Sequence, residues 1–445
     1  MIEVREKNMN NKQTITLFIE KNFNILFYLG ISIGFLFAFL YADNQVLTAD
    51  QFQMLNKGYL GATEGVWLSY GNAASAVGNV PGSLSAYIIG VPLMLWSSPW
   101  APMFFLIFLH YISFYLFDSV IEKVFNPSVR ILFMVLYWLS PWLLFESLLY
   151  NPSYLFFFTA LHFWTAFNMH QKKNFIYTFL HVLAISMAMQ LHYSWPILVV
   201  ISSYLIYRNI IKVNWFGFIG AIVLTLISLI PYFQEALIND SIISKSSDTS
   251  DRYIGWGGVH VYPVLKAFLY WLRYGAFIFS DQITLGANFE WISNNELIRA
   301  IVQYIWRTIL YVVGGISLLF SLNANRKALI RIAPLITRRS KNINISLEEW
   351  MLLYMLGALF GVLISSILSP IIFNHWHLII IYPIALFPIL SYINGWISNM
   401  QCNFKKYLLF IIPYFFIINI VAANDSAKFS YKVNYQQQVL KYLNK

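Results

Sequence analysis

Residues 43–99 read DNQVLTADQFQMLNKGYLGATEGVWLSYGNAASAVGNVPGSLSAYIIGVPLMLWSSP, and they separate a first apolar run, about 24–42, from a second, about 100–118. The stretch gathers Asp43, Asp50, Glu64, Asn72 and Asn79 in a chain that is otherwise strongly apolar. It is also too rich in Tyr, Trp, Val and Leu for a disordered segment. A connection of this length and composition reads as a structured, functional loop that ends in a short apolar segment. Within it, ADQFQMLNKGYL (49–60) has the pattern of a helix.

Outward from that loop the chain is membrane. Of its 445 residues 59% are hydrophobic and 11% charged, whereas a soluble protein carries about a quarter charged residues. The fold class expected is an all-α polytopic membrane protein. The lone Cys402 excludes an intramolecular disulfide and matches no metal-binding spacing. A net charge of +10 invites a nucleic-acid reading, but in such a chain excess Lys and Arg mark the cytoplasmic loops.

A span needs about 20 apolar residues. Eleven candidates centre on 24–42, 100–118, 129–147, 152–168, 175–191, 194–207, 214–231, 299–321, 351–369, 378–396 and 407–422. The first is longer than a signal-peptide core and no small-residue cleavage site follows it, so it reads as a retained anchor. A twelfth apolar stretch, 260–280, is decided by charge. The basic loop 322–349, with Arg326, Lys327, Arg331, Arg338, Arg339 and Lys341, and the N-terminus, with Arg5, Lys7, Lys12 and Lys21, both fall on the cytoplasmic side only if 260–280 does not cross. Lys123 with Arg130, Lys172 with Lys173, Arg208 with Lys212, and Lys405 with Lys406 then fall inside as well. The outer side receives 43–99, 232–298, the turns near 146–152, 191–195 and 369–377, and the tail. Residues 1–23 are thus a cytoplasmic N-terminus, 24–422 the membrane domain and 423–445 an outer tail. Lys266, Tyr270 and Arg273 share one side of a helix over 260–280, which reads as lying in the interface with its cations toward the headgroups, as an anchor or as a phosphate-binding element.

No zinc, P-loop, dinucleotide, Ser-His-Asp or DxD pattern is present, so the informative groups are polar residues at the outer ends of spans, where an ionisable side chain is costly unless used or paired. Asp50 opens the helix at 49–60 and is either its N-terminal cap, as Thr48 could be, or a functional carboxylate. Asp43 reads as a solvated helix-end residue. Glu146, in SPWLLFESLLYNPSY (140–154), is either a buried acid or base with a raised pKa or a residue looking into water. Gln190 and His192, in AMQLHYSW (188–195), both reach the outer surface at a helix end. His110, His162 and His181 lie deeper and read as structural. His375 and His377 form an HxH on an outer turn, with no acidic residue near them in sequence to make a metal site.

The arrangement resembles the GT-C superfamily of integral-membrane glycosyltransferases, in particular bacterial members of the dolichyl-phosphate-mannose protein mannosyltransferase-like and aminoarabinose transferase-like groups. The likeness rests on VPGSLSAYIIGVPLMLWSSPWAP (80–102), YNPSYLFFFTALHFW (150–164), MQLHYSW (189–195), Pro231-Tyr232 and IIIYPIALFPIL (379–390), and it covers residues 24–232 better than the rest. It implies a GT-C-type bundle of about 11 transmembrane helices with extracytoplasmic loop helices. By position it makes Asp50 the catalytic base, although many members have two adjacent acidic residues and here Gln51 follows; Asp43 and Glu64 are the other acids of the loop open to that role. Glu146 falls where some members place a second acidic residue.

The resemblance further implies a polyprenyl-phosphate sugar donor, an envelope glycolipid, polysaccharide or protein acceptor, and an active site on the outer face of a bacterial inner membrane. The substrate-binding candidates are Glu64, Gln190, His192, Arg252, Lys266 and Arg273, with Lys57 and Lys245 as further outer cations. Because Arg and Lys can neutralise a departing monophosphate, no cofactor is required, and a divalent metal stays open. Membrane lipids are expected partners and nucleic acid is not. Two other readings remain: a lipid-linked polysaccharide polymerase or ligase, whose large loop usually falls later in the chain, and a lipid-glycan flippase or transporter, which would show repeats or ionisable residues at the bilayer midplane.

Overall fold

Inside a bilayer every backbone N–H and C=O must find its partner within the chain, and long apolar runs do so as helix. The computed structural model describes residue 19 and residues 21–44, 47–74, 78–243, 261–280, 283–284, 286–337, 345–369, 373–398, 404–425 and 435–443. The described helices are α1 (Phe23–Asn44), α2 (Ala49–Glu64), α3 (Leu84–Leu95), α4 (Trp100–Val124), α5 (Pro127–Phe145, with a π-helical turn at Met134–Trp138), α6 (Leu155–Gln171), α7 (Phe175–Met189) and α8 (Pro196–Tyr207). They continue as α9 (Trp215–Ile238), α10 (Val261–Tyr274), α11 (Glu296–Thr337), α12 (Leu347–Leu368), α13 (His375–Ser398), α14 (Phe404–Asp425) and α15 (Tyr435–Leu443). Between α2 and α3 the strands β1 (Tyr70–Ala73) and β2 (Asn79–Pro81) pair antiparallel.

Among the described residues eight helices are long and apolar enough to cross a membrane: α1, α4, α5, α9, α11, α12, α13 and the Tyr407–Asp425 part of α14. The protein is an all-α, multi-pass membrane protein. The other three expected spans, 152–168, 175–191 and 194–207, are α6, α7 and α8, of 17, 15 and 12 residues. The Asn174 side chain caps α7, Pro196 opens α8, and Asn209 at φ 55° lies just beyond its end. The expected basic loop 322–349 is also corrected: its first part, to Thr337, continues α11, which runs for 42 residues. Arg338, Arg339 and Lys341, like the N-terminal Arg5, Lys7 and Lys12, lie outside the described residues.

Segments that charge assigned to one side meet in space. At one end of the bundle Arg130 grips Asp118 through Nε–Oδ1 (3.0 Å) and Nη2–Oδ2 (2.6 Å), reaches Glu122 at 2.8 Å, and stacks over Phe23 and Phe27. Arg208 donates to Leu335 O and Arg331 pairs with Glu348, each at 2.5 Å, at the same end. At the other end lie the loop 43–99, the turns after α5 and α7, α10, the start of α13, and α15, whose Gln438 accepts from Leu47 N at 3.0 Å.

Close helix contacts rely on glycine. A Cβ on Gly34 of α1 would overlap Trp138 Nε1, the indole nitrogen that donates to Ile31 O at 3.0 Å. In the loop, a Cβ on Gly90 of α3 would lie 2.7 Å from Gly58 O of α2, so the two helices touch backbone to backbone. Replacing Gly34 with Leu should therefore prise α1 from α5 and lower stability by about 1–3 kcal/mol, read as a lower unfolding midpoint of detergent-solubilised protein; an unchanged midpoint would show that Trp138 yields freely.

Candidate functional site

The loop 43–99 reaches the bundle as a pre-folded unit. Thr48 and Gln51 form a capping box that starts α2, and Gly65 at φ 72° ends it. The Lys57 ammonium is buried, donates to Gly71 O at 2.5 Å and lies over the Tyr70 ring at 5.2 Å. Asn79 Nδ2 donates to the same carbonyl at 2.9 Å. Lys57 is thus no outward cation but the strap between α2 and the hairpin. Burial lowers its pKa from the usual lysine value to about 8. The unit then docks on the turn between α7 and α8. Tyr193 donates its hydroxyl to Asn79 O at 3.2 Å, and Gly82, at φ 90°, leaves no room for a Cβ against the Gln190 side chain. Gln190 is correspondingly buried and donates to Ser228 Oγ at 3.1 Å.

Asp50 sits exposed in the first turn of α2, where the helix dipole favours a carboxylate, and Asn72 Nδ2 holds its backbone carbonyl at 3.0 Å. Its charge acts on Tyr150, which lies beyond α5. Glu64 is exposed at the opposite end of the same helix, about 21 Å along its axis at 1.5 Å per residue. The structure therefore does not bring Glu64 to Asp50. Asp43 is half-buried at the end of α1.

Glu146 is fully buried, which decides between its two readings: it does not face water. Ser153 Oγ donates to its Oε2 at 3.2 Å, the Tyr150 phenol lies within reach of its charge, and His375 Nε2 lies 3.8 Å from Oε1. His375 is itself buried; its backbone oxygen accepts from the Tyr274 hydroxyl at 2.5 Å. Burial first, then Glu146, pushes the Tyr150 phenol well above its ordinary value; burial, Tyr270 and Glu146 do the same to Tyr274. Both remain neutral donors across physiological pH. The HxH turn therefore has an acidic neighbour after all, brought from a distant part of the chain. Among the described residues no three His, Cys, Asp or Glu side chains converge as metal ligands.

Around this buried group lies a rim of cations and imidazoles. Lys266 of α10 donates to Asn374 Oδ1 at 2.8 Å, and Asn374 N donates to His377 Nδ1 at 2.9 Å. The His377 ring lies 5.7 Å from that of His192, which pairs with Ser194 Oγ at 2.9 Å and whose pKa burial lowers to about 4. Burial and then Arg273 lower the Lys266 pKa. Arg273 donates to Ile278 O (3.3 Å) and Phe279 O (2.5 Å), and lies 5.0 Å from the Tyr270 ring centre.

This corrects the expected pose of 260–280. The side carrying Lys266, Tyr270 and Arg273 turns toward the protein, while Val261, Tyr262, Leu265, Phe268 and Leu269 are exposed. Tyr150, Tyr274, Asn374 and the partnership of His375 with Glu146 escaped the sequence reading. The side assignment placed the turns near 146–152 and 369–377 together, and that was the available signal. Arg252 and Lys245 lie outside the described residues.

No family model matches the chain, and no curated protein matches it.

A buried lysine whose folded pKa is depressed gains stability as pH rises from that value toward its unfolded pKa, because there the unfolded chain binds the extra proton. Between about pH 8 and about pH 10, wild type should gain more thermal stability than Lys57→Met in matched scans; parallel curves would remove the buried-ammonium account.

Proposed function

We propose that the protein is a membrane glycosyltransferase that moves a sugar from a polyprenyl-phosphate-linked donor to an envelope glycolipid, polysaccharide or protein at the outer face of a bacterial inner membrane. The observation that carries this reading is the convergence, at one end of the bundle, of an exposed carboxylate, Asp50, with the cation-bearing side of α10 around the buried Glu146–His375–Tyr150 group. Together they make a bipolar site at a membrane surface: a base on one element and cations on another.

In the transfer, the acceptor hydroxyl oxygen forms a bond to the anomeric carbon and gives its proton to Asp50. The bond from that carbon to the phosphate oxygen breaks, and the electron pair leaves with the lipid phosphate. Lys266 and Arg273 supply positive charge for that leaving group. His192 is neutral over the physiological range and offers hydrogen bonds rather than charge. Glu146, with no exposed surface, does not meet substrate in this conformation. Its role is to hold Tyr150 and His375 beneath the site, which revises the direct catalytic part expected of it.

The test is mass spectrometry of envelope glycolipids, polysaccharides and glycoproteins from a deletion strain complemented with wild type or equally expressed Asp50→Asn. Deletion should remove one sugar mass that wild type restores. Asp50→Asn should slow restoration by about 10²–10⁴-fold, the usual worth of a positioned base. Full restoration by Asp50→Asn would exclude Asp50 as the base, and an unchanged glycan profile in the deletion would exclude the transferase reading.

A further inference from the structure

Four helices, α6, α7, α8 and α12, meet around a polar cluster deep in the apolar bundle. His162 Nδ1 lies 2.6 Å from the Tyr354 hydroxyl, and His162 Nε2 lies 2.8 Å from Ser202 Oγ. His181 Nε2 lies 2.9 Å from the same Ser202 Oγ, and its Nδ1 faces Thr165 Oγ1 at 3.1 Å and His162 O at 3.2 Å. The two imidazoles stack with ring centres 3.9 Å apart, and both are buried. Ser202 also reaches Leu198 O at 2.9 Å, while Thr165 reaches Leu161 O at 2.7 Å and His162 O at 3.0 Å.

A carbonyl oxygen only accepts, a hydroxyl has one proton to give, and a neutral imidazole has one N–H and one lone pair. Those rules fix the tautomers. The buried Tyr354 hydroxyl donates to His162 Nδ1, so His162 carries its proton on Nε2 and donates to Ser202. With the single Thr165 proton given to Leu161 O at 2.7 Å, His181 Nδ1 faces only acceptors, Thr165 Oγ1 and His162 O, so His181 carries its proton there and presents a bare Nε2 to Ser202. The neutral cluster is therefore a one-way chain: Tyr354 to His162 to Ser202 to His181 to His162 O. It closes only if the Ser202 hydroxyl points at His181 rather than at Leu198 O.

The second Ser202 partner gives the cluster another complete state. If the hydroxyl turns to Leu198 O, Ser202 Oγ accepts from both imidazoles, and His181 then needs a proton on each nitrogen. We propose that the cluster is a proton-binding site of the membrane-embedded bundle, taking one proton at Nε2 of His181 at the cost of a single hydroxyl rotation at Ser202. The reaction is H⁺ plus neutral imidazole giving imidazolium, and no other bond breaks.

The titratable groups on the packed helices define what that charge meets. His162 on α6 and Tyr354 on α12 are its neighbours, and Thr165 and Ser202 are neutral. α6, α7 and α8 contain no Asp, Glu, Lys or Arg, and the remaining titratable groups on them are His170, Tyr177, Tyr204 and Tyr207, outside the hydrogen-bonded cluster. Glu348 and Glu349 lie in the first turn of α12, and Glu348 is paired with Arg331. On α9, against the far side of α7, Thr225 bonds to Ser186 at 2.7 Å. An ionisable residue held this deep in an apolar bundle is costly to keep unless it is used.

The site is independent of the transferase reading, and its test reads protons rather than product. Protein labelled with ¹⁵N-histidine in lipid nanodiscs is followed from about pH 8 to about pH 5, the range in which imidazoles report, with circular dichroism to monitor the fold. Near the upper limit His162 and His181 should show opposite tautomers. On acidification His181 alone should gain a second N–H while the fold persists, and this titrating signal should vanish in His181→Gln. Ser202→Ala, a change too small to unseat α8, supplies the second variant: both rings should lose their fixed tautomers. Identical tautomers in wild type, a His181 that stays neutral down to the lower limit or gains its proton only as the protein unfolds, or rings unmoved by Ser202→Ala would each overturn the proposal.

Discussion

A carboxyl group with no exposed surface constrains everything around it. Burying Glu146 among Trp, Leu and Phe side chains is costly unless hydrogen-bonding groups replace the lost water. Here Ser153, Tyr150 and His375 surround it. They come from the turn after α5 and from the start of α13, and Tyr274 ties α10 to the same place through the His375 carbonyl. One acidic residue thus recruits three separate segments to one end of the bundle, and the rim that includes Lys266, His377 and His192 is assembled on the frame they form.

The exposed half of the site is built differently. Asp50 rides on a loop helix rather than on a span, so its position depends on how firmly the loop unit is seated. The seat is made of small, directional contacts: Lys57 and Asn79 sharing the Gly71 carbonyl, Asn72 on the Asp50 carbonyl, Tyr193 on Asn79, and Gly82 against Gln190. Burial fixes the inner layer, whereas backbone hydrogen bonds fix the outer one. The two layers are therefore open to change by different substitutions.

How much of this could be read beforehand follows from what each signal measures. Hydrophobic length located the helices, and segments that the sidedness of Lys and Arg grouped together do touch, as Arg208 does at Leu335 O. Length alone leaves 152–168, 175–191 and 194–207 undecided, because the helices there have 17, 15 and 12 residues, too few to mark a span by length and composition. The helical spacing of Lys266, Tyr270 and Arg273 showed that they share a side, but spacing carries no information on which way that side turns when the opposite one is apolar too. The pairing of Glu146 with His375, and of His162 with His181 through Ser202, needed knowledge of which helices are neighbours. Lys57 looked like a free cation because nothing local names Gly71 as its acceptor.

The unusual length of α11 has a mechanical meaning. At 42 residues and 1.5 Å per residue it is about 63 Å long, and even at a steep tilt of about 40° it covers about 48 Å against a hydrocarbon core of about 30 Å. Arg326, Lys327 and Arg331 therefore ride on a stiff spar instead of a slack tether. A tether would let its cations spread across the headgroups, whereas a spar fixes the height of each one. With Arg331 bolted to Glu348 and Arg208 to the Leu335 carbonyl, the spar is braced at this end, so a push on it would be transmitted to α12 and α8 together.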